Sequence, residues 1–127
     1  MPASPRVHVG IDCVDPTSLA PFWAAALGYE VGEAIPGGTY QFLVPPDDAR
    51  PAVYLQRVPE DKVVKNRVHL DLRTAEAPEL IERLLGLGAS CIGQRQSGST
   101  CAWWQVMSDP VGNEFCVCFE PDAQAAP

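Results

Sequence analysis

The feature that most limits what this chain can fold into is a repeat of itself. Arg6-Val7-His8-Val9 returns as Arg67-Val68-His69-Leu70, an offset of 61 residues, and Leu27-Gly28 returns as Leu87-Gly88, an offset of 60. A short supersecondary unit used twice is the physical reading of such a period.

Residues from about Arg6 to Val14 alternate with period two. Val7, Val9, Ile11 and Cys13 face one side, and His8, Gly10, Asp12 and Val14 face the other, which predicts a strand with one dry face. Asp15-Pro16-Thr17 supplies a carboxylate cap followed by proline at the first helical position. Leu19, Phe22, Trp23, Ala26 and Leu27 then recur at helical spacing until Gly28 ends the run as a left-handed cap. Three short strands follow, Tyr29 to Ile35, Thr39 to Val44 and Ala52 to Val58, separated by turn residues.

A polar linker spans 59–66. In the second copy Val68, Leu70 and Leu72 oppose His69, Asp71 and Arg73. A helix from Pro78 to Gly86 carries Leu80, Ile81, Leu84 and Leu85 as its apolar stripe. Strands over Cys91 to Gln96, Ala102 to Met107 and Glu114 to Phe119 complete the copy, with turns at Ser97 to Ser99 and Asp109 to Asn113, and 121–127 reads as a frayed tail.

The predicted fold class is α+β: one domain of two βαβββ repeats, about 6–58 and about 67–120, each a four-stranded mixed sheet with one helix outside. The faces turned away from the helices are expected to bound a cleft.

Composition narrows the partners. No apolar run approaches the ~18–20 residues of a membrane span, and the segment before the first strand has no apolar stretch, so neither a membrane nor export is expected and the chain reads as cytoplasmic. Five cysteines without a CxxC pair predict reduced thiols, most of them buried. The net charge of −7, with no cluster of lysine or arginine, argues against nucleic acid and leaves a small molecule as the expected partner.

Three motifs stand in order: Asp15-Pro16 through Phe22-Trp23 to Leu27-Gly28, then Asn66-Arg67-Val68-His69-Leu70-Asp71-Leu72, then Ser108-Asp109-Pro110-Val111-Gly112-Asn113-Glu114-Phe115. Together they resemble the vicinal oxygen chelate superfamily, of the glyoxalase-like and bleomycin-resistance type. The resemblance covers roughly Arg6 to Glu120 and implies a cleft into which the first and last strands of each repeat project one metal ligand apiece. Carried onto this chain, those positions are His8, Gln56, His69 and Cys116, the last standing where relatives usually have glutamate. The resemblance also implies a homodimer.

Two imidazoles, a thiolate and an amide oxygen would suit zinc or another divalent ion such as nickel, manganese or iron. Asp12 and Asp71 share the faces of the histidines and can orient an imidazole or supply negative charge. Tyr54 is expected to line the cleft. Trp103 and Trp104, being adjacent in a strand, must face opposite ways, one to the core and the other to the cleft or an interface, and both are candidate ligand-binding residues. Arg57, Arg73 and Arg95 read as solvated, and Cys116 and Cys118 as small packing residues on one face.

With the usual glutamate missing, the favoured function is binding of a small organic metabolite or drug without a metal. The alternative is a metal-dependent lyase, isomerase or oxygenase built on His8 and His69.

Overall fold

A computed structural model describes residues 3–98 and 100–122. Ser99 of the expected turn and residues 123–127 of the expected tail lie outside them. The chain divides between Asp61 and Lys62 into two compact units. The first runs β1 (Val9–Cys13), α1 (Pro16–Leu27), β2 (Glu30–Ala34), β3 (Tyr40–Val44), β4 (Val53–Arg57). The second runs β5 (Asp71–Thr74), α2 (Ala77–Gly86), β6 (Ser90–Ser97), β7 (Trp103–Ser108), β8 (Glu114–Phe119). Each unit holds one four-stranded sheet, ordered β1-β4-β3-β2 and β5-β8-β7-β6, in which only the first-to-last strand pairing is parallel. The fold is therefore α+β, with the βαβββ order repeated.

The helix ends follow from their caps. The Asp15 carboxylate accepts from the Ser18 amide and hydroxyl, Pro16 opens α1, and Gly28 at φ 71° closes it while the Tyr29 amide bonds back to the Ala24 carbonyl. Gly88, at φ 104°, serves α2 in the same way, with the Ala89 amide returning to the Leu84 carbonyl. Leu19, Phe22 and Trp23 of α1 are buried with Leu43, Val53 and Leu55 of the first sheet. In the second unit Ile81 and Leu84 of α2 are buried with Met107, Phe115 and Val117.

The opening strand of each unit is shorter than its alternation predicts. Val7 is 67% exposed and Val68 81%, although both fall on the expected dry face. The Val9 amide bonds the Ala52 carbonyl, and the ladder between β1 and β4 goes no further toward Val7. In the second unit the Glu114 carbonyl accepts from the Asn66 side chain, so β5 begins only where Asp71 meets Cys116. His8 and His69 consequently lie just ahead of their strands, and both are exposed.

The linker is not a free spacer either, since its second half is pinned to the second unit. Glu114 accepts from the Asn66 amide at 2.9 Å and pairs with Lys62 at 2.9 Å. Burial alone would raise the Glu114 carboxyl, but these two donors outweigh it and hold it below the usual range.

A pair of buried glutamines repeats with the fold. Gln41 on β3 donates to the carbonyls of Gly32 and Glu33, where β2 leaves register, and Gln105 on β7 donates to those of Ile92 and Gly93, where β6 does the same. Each side chain satisfies backbone acceptors that the bulge strips from the ladder. Gln105→Leu should lower the unfolding free energy by about 1–3 kcal/mol in urea titration, and Gln41→Leu should do the same; a neutral result in both would remove this role.

Candidate functional site in the second unit

The face of the second sheet turned away from Met107 and Val117 carries a cavity of about 310 Å³. Register places its wall. Asp71 is opposite Cys116 across the parallel pair, Val106 is opposite Cys116 on the other side, and Trp104 is opposite Cys118, so one face collects all of them. His69 and Lys65, from the segment before β5, border the same space, as does Cys101 just before β7.

Within that wall three donors converge. His69 Nε2 lies 3.0 Å from Asp71 Oδ1, and a ring nitrogen of His69, a carboxylate oxygen of Asp71 and Cys116 Sγ are all within 4.8 Å of one another. Burial, then the Asp71 charge and its hydrogen bond, push the Cys116 thiol up. Cys118 is pushed up to about 12, first by burial, then by the Asp71 charge and by hydrogen bonding to Cys101. Both sulfurs are therefore neutral thiols at ordinary pH. A nucleophilic cysteine needs the opposite environment.

A nitrogen, an oxygen and a sulfur donor fit a borderline divalent ion. Bond lengths of about 2.0–2.3 Å place donors roughly 3.3–3.8 Å apart around a tetrahedral centre. His69 and Asp71, with side chains 46% and 42% exposed, have the freedom to reach that spacing. A cation there would take the place of the Cys116 proton.

The expected site residues are thus distributed over both units. His69, Cys116, Asp71 and Trp104 meet at this cavity. Trp103 stands on the other face, stacked on Phe119 at 5.3 Å with the Arg95 guanidinium 3.6 Å above its ring. His8, Asp12, Tyr54 and Gln56 belong to the first unit, where Asp12 is opposite Gln56 and Tyr54 packs with Tyr40 and Phe42 over Gly10.

Three arginines expected to be solvated each hold something: Arg57 donates to the Gly37 carbonyl, Arg73 bonds Glu120 and the Thr100 carbonyl, and Arg95 covers Trp103. Sequence reasoning gave no place at the cavity to Cys101 or Lys65. Both lie outside the strands, where alternation assigns no face.

A duplicated βαβββ chain with a polar and thiol-lined cavity on one sheet defines a small α+β ligand-site scaffold. The chain belongs to the glyoxalase-like domain family, whose model matches residues 8–118, within the vicinal oxygen chelate superfamily. Among solved structures it is similar to the fosfomycin resistance protein FosX from Listeria monocytogenes in complex with Mn(II) and dihydroxypropylphosphonic acid. That match has 13% identity and a TM-score of 0.73 and covers 93% of each chain. It is also similar to a glyoxalase/bleomycin resistance protein/dioxygenase family enzyme from Burkholderia phytofirmans, with 19% identity, a TM-score of 0.65 and coverage of 87% and 94% of the two chains. No functionally curated protein matches the sequence. Among the described residues no helix is long and apolar enough to cross a membrane.

Proposed function

We propose that this chain binds a small organic molecule in the cavity of its second unit, as a cytoplasmic protein that pairs into a homodimer. The observation that carries the reading is the cavity itself. Its volume lies at the lower end of the range for small-molecule sites, and Trp104 and Val106 form an apolar wall beside the polar cluster of His69 and Asp71. Trp104 would stack on a flat or apolar part of the ligand, and His69, Asp71 and Lys65 would bind its polar end.

The convergence of His69, Asp71 and Cys116 favours a second reading, in which the same site holds a divalent ion and acts as a lyase, isomerase or oxygenase. The ion would supply Lewis-acid polarisation of adjacent substrate oxygens. His69 and Asp71 would hold and orient it, Cys116 would bind as thiolate, and Trp104 would position the substrate. His8 and Gln56 are the donors that the family resemblance assigns to the first unit.

Fluorescence titration with small phosphonates and other compounds bearing vicinal oxygens, run with and without zinc, nickel, manganese or iron(II), tests both readings. Trp104→Ala should weaken binding about tenfold or more while Trp103→Phe leaves it unchanged. Saturable binding that ignores Trp104→Ala would sink the assignment of the cavity. Metal-dependent binding abolished by His69→Ala selects the second reading. Sedimentation velocity checks the dimer.

A further inference from the structure

We propose that Gly98 is a positioning residue for Trp104: with no Cβ there, the indole folds back against the connection between β6 and β7 and leaves the cavity open to a ligand with an aryl-sized apolar part. The proposal rests on the reading of this cavity as a small-molecule site and adds what sets the size of its apolar end. Trp104 pairs with Gln96, so Gly98 is its diagonal neighbour, just past the end of the edge strand β6. A Cβ built on Gly98 would overlap Cζ3 of the indole and stand 2.5 Å from Cε3 and 3.3 Å from Cη2. Carbon atoms pack at about 3.5–4.0 Å, so the ring already fills the volume that any other side chain would need.

The backbone itself makes no such demand. Gly28 and Gly88 are needed for their φ of 71° and 104°, whereas the φ of Gly98 lies outside the left-handed region. An L residue tolerates that φ, and only the ring excludes it. The same connection is fixed on its far side. Arg73 bonds the Thr100 carbonyl and the Glu120 carboxylate, and the Cys101 thiol donates to the Trp103 carbonyl at 3.3 Å. When a side chain is introduced at 98, the part of this anchored corner that must yield is the indole.

Where the ring would go follows from its surroundings. Trp104, Val106 and Cys118 share the cavity face of the sheet. With strand backbone beneath it and the connection behind it, an indole pushed off Gly98 turns into the open space in front, the cavity of about 310 Å³. An indole is large against that volume. Its displacement removes the room for an aryl group, while a compact anion still reaches Lys65 and His69. A glycine covered by a cross-strand aromatic also strengthens a sheet edge, so stability alone does not identify the role. The position of the ring and the choice of ligand do.

The full chain is tested first without ligand. The Gly98 α-protons lie against the indole, so its ring current should move their NMR resonances away from the ordinary glycine range, and Trp104→Leu should return them. Gly98→Ala should shift the Trp104 indole N–H signal, identified by its loss in Trp104→Leu, more than the signals of Trp23 and Trp103.

Calorimetric titration with phenylphosphonate and methylphosphonate as probes then reads the room beside the ring. Gly98→Ala should weaken phenylphosphonate about tenfold and methylphosphonate by less than about twofold, a selectivity that a merely less stable fold would not produce. Added to Trp104→Leu, Gly98→Ala should cost no further affinity, because the ring it displaces is gone. Gly86→Ala, at a helical glycine with nothing within 4 Å of its Cβ position, should leave both affinities unchanged. An unmoved Trp104 signal in Gly98→Ala, equal losses for the two probes, or a loss that persists in Trp104→Leu each overturns the proposal. A wild-type chain that binds neither phosphonate contradicts the small-molecule reading of the cavity for this class of ligand, and the NMR comparison then decides by itself whether Gly98 holds the indole.

Discussion

Trp23→Ala is expected to lower the free energy of unfolding by about 3–5 kcal/mol, a large part of the roughly 5–15 kcal/mol that holds a domain of this kind together. Trp23 is 1% exposed, the largest fully buried side chain of the core, and meets Phe22 edge to face at 5.5 Å. It lies on α1, which packs on the strands of the first sheet, so removing the indole leaves a cavity that neighbouring strands cannot collapse to fill. The other two tryptophans provide the contrast. Trp103 and Trp104 are half-buried, and alanine at either should cost clearly less stability, while Trp104→Ala costs binding. Chemical denaturation of the three alanine variants measures this order. Equal losses at Trp23 and Trp104 would contradict the division between a packing indole and a ligand-facing one.

The sequence made the duplication legible because its marks are local and strong. A carboxylate cap followed by proline, a Leu-Gly helix end and strict alternation all act within a few residues. Strand lengths were less legible, since they depend on partners. Nothing in Arg6-Val7-His8 announces that the ladder with β4 stops at Val9, and nothing in Val68-His69 announces that Glu114 has already committed its carbonyl to Asn66. Side-chain destinations beyond the strands were the least legible. Alternation correctly separated Trp103 from Trp104 and put Cys116 with Cys118, but it had no term for Cys101 or for the arginines. Gln41 and Gln105 escaped because a glutamine inside an alternating strand gives no sign that a bulge in the preceding strand needs its amide. Asp71 was expected to support or supplement the metal position, and the structure brings it into contact with His69 and within reach of Cys116.

That contact leads to the second large effect, a loss of stability at alkaline pH. In the unfolded chain a cysteine thiol ionises near 9, whereas Cys118 in the native chain keeps its proton to about 12, and Cys116 is shifted in the same direction. Above pH 9 the native state therefore binds more protons than the unfolded state, and unfolding free energy must fall as pH rises. The contribution of Cys118 is fully present below pH 9 and is lost as pH rises through 12. Over that window each thiol held protonated adds a slope approaching about 1.4 kcal/mol per pH unit. Urea titrations between pH 8 and 11 should show this decline, and Cys118→Ala should remove one thiol's share of it relative to wild type; an unchanged slope in the variant would contradict the burial and Asp71 charge as its cause. Zinc carries the argument back to the site. Ligation deprotonates a cysteine outright, so an ion held by His69, Asp71 and Cys116 would reverse the Cys116 contribution and flatten the decline, while Cys118 would keep its own. A slope that zinc leaves untouched belongs to a cavity of neutral thiols, and a slope that zinc reduces by one thiol's share, only when His69 is present, belongs to a metal centre.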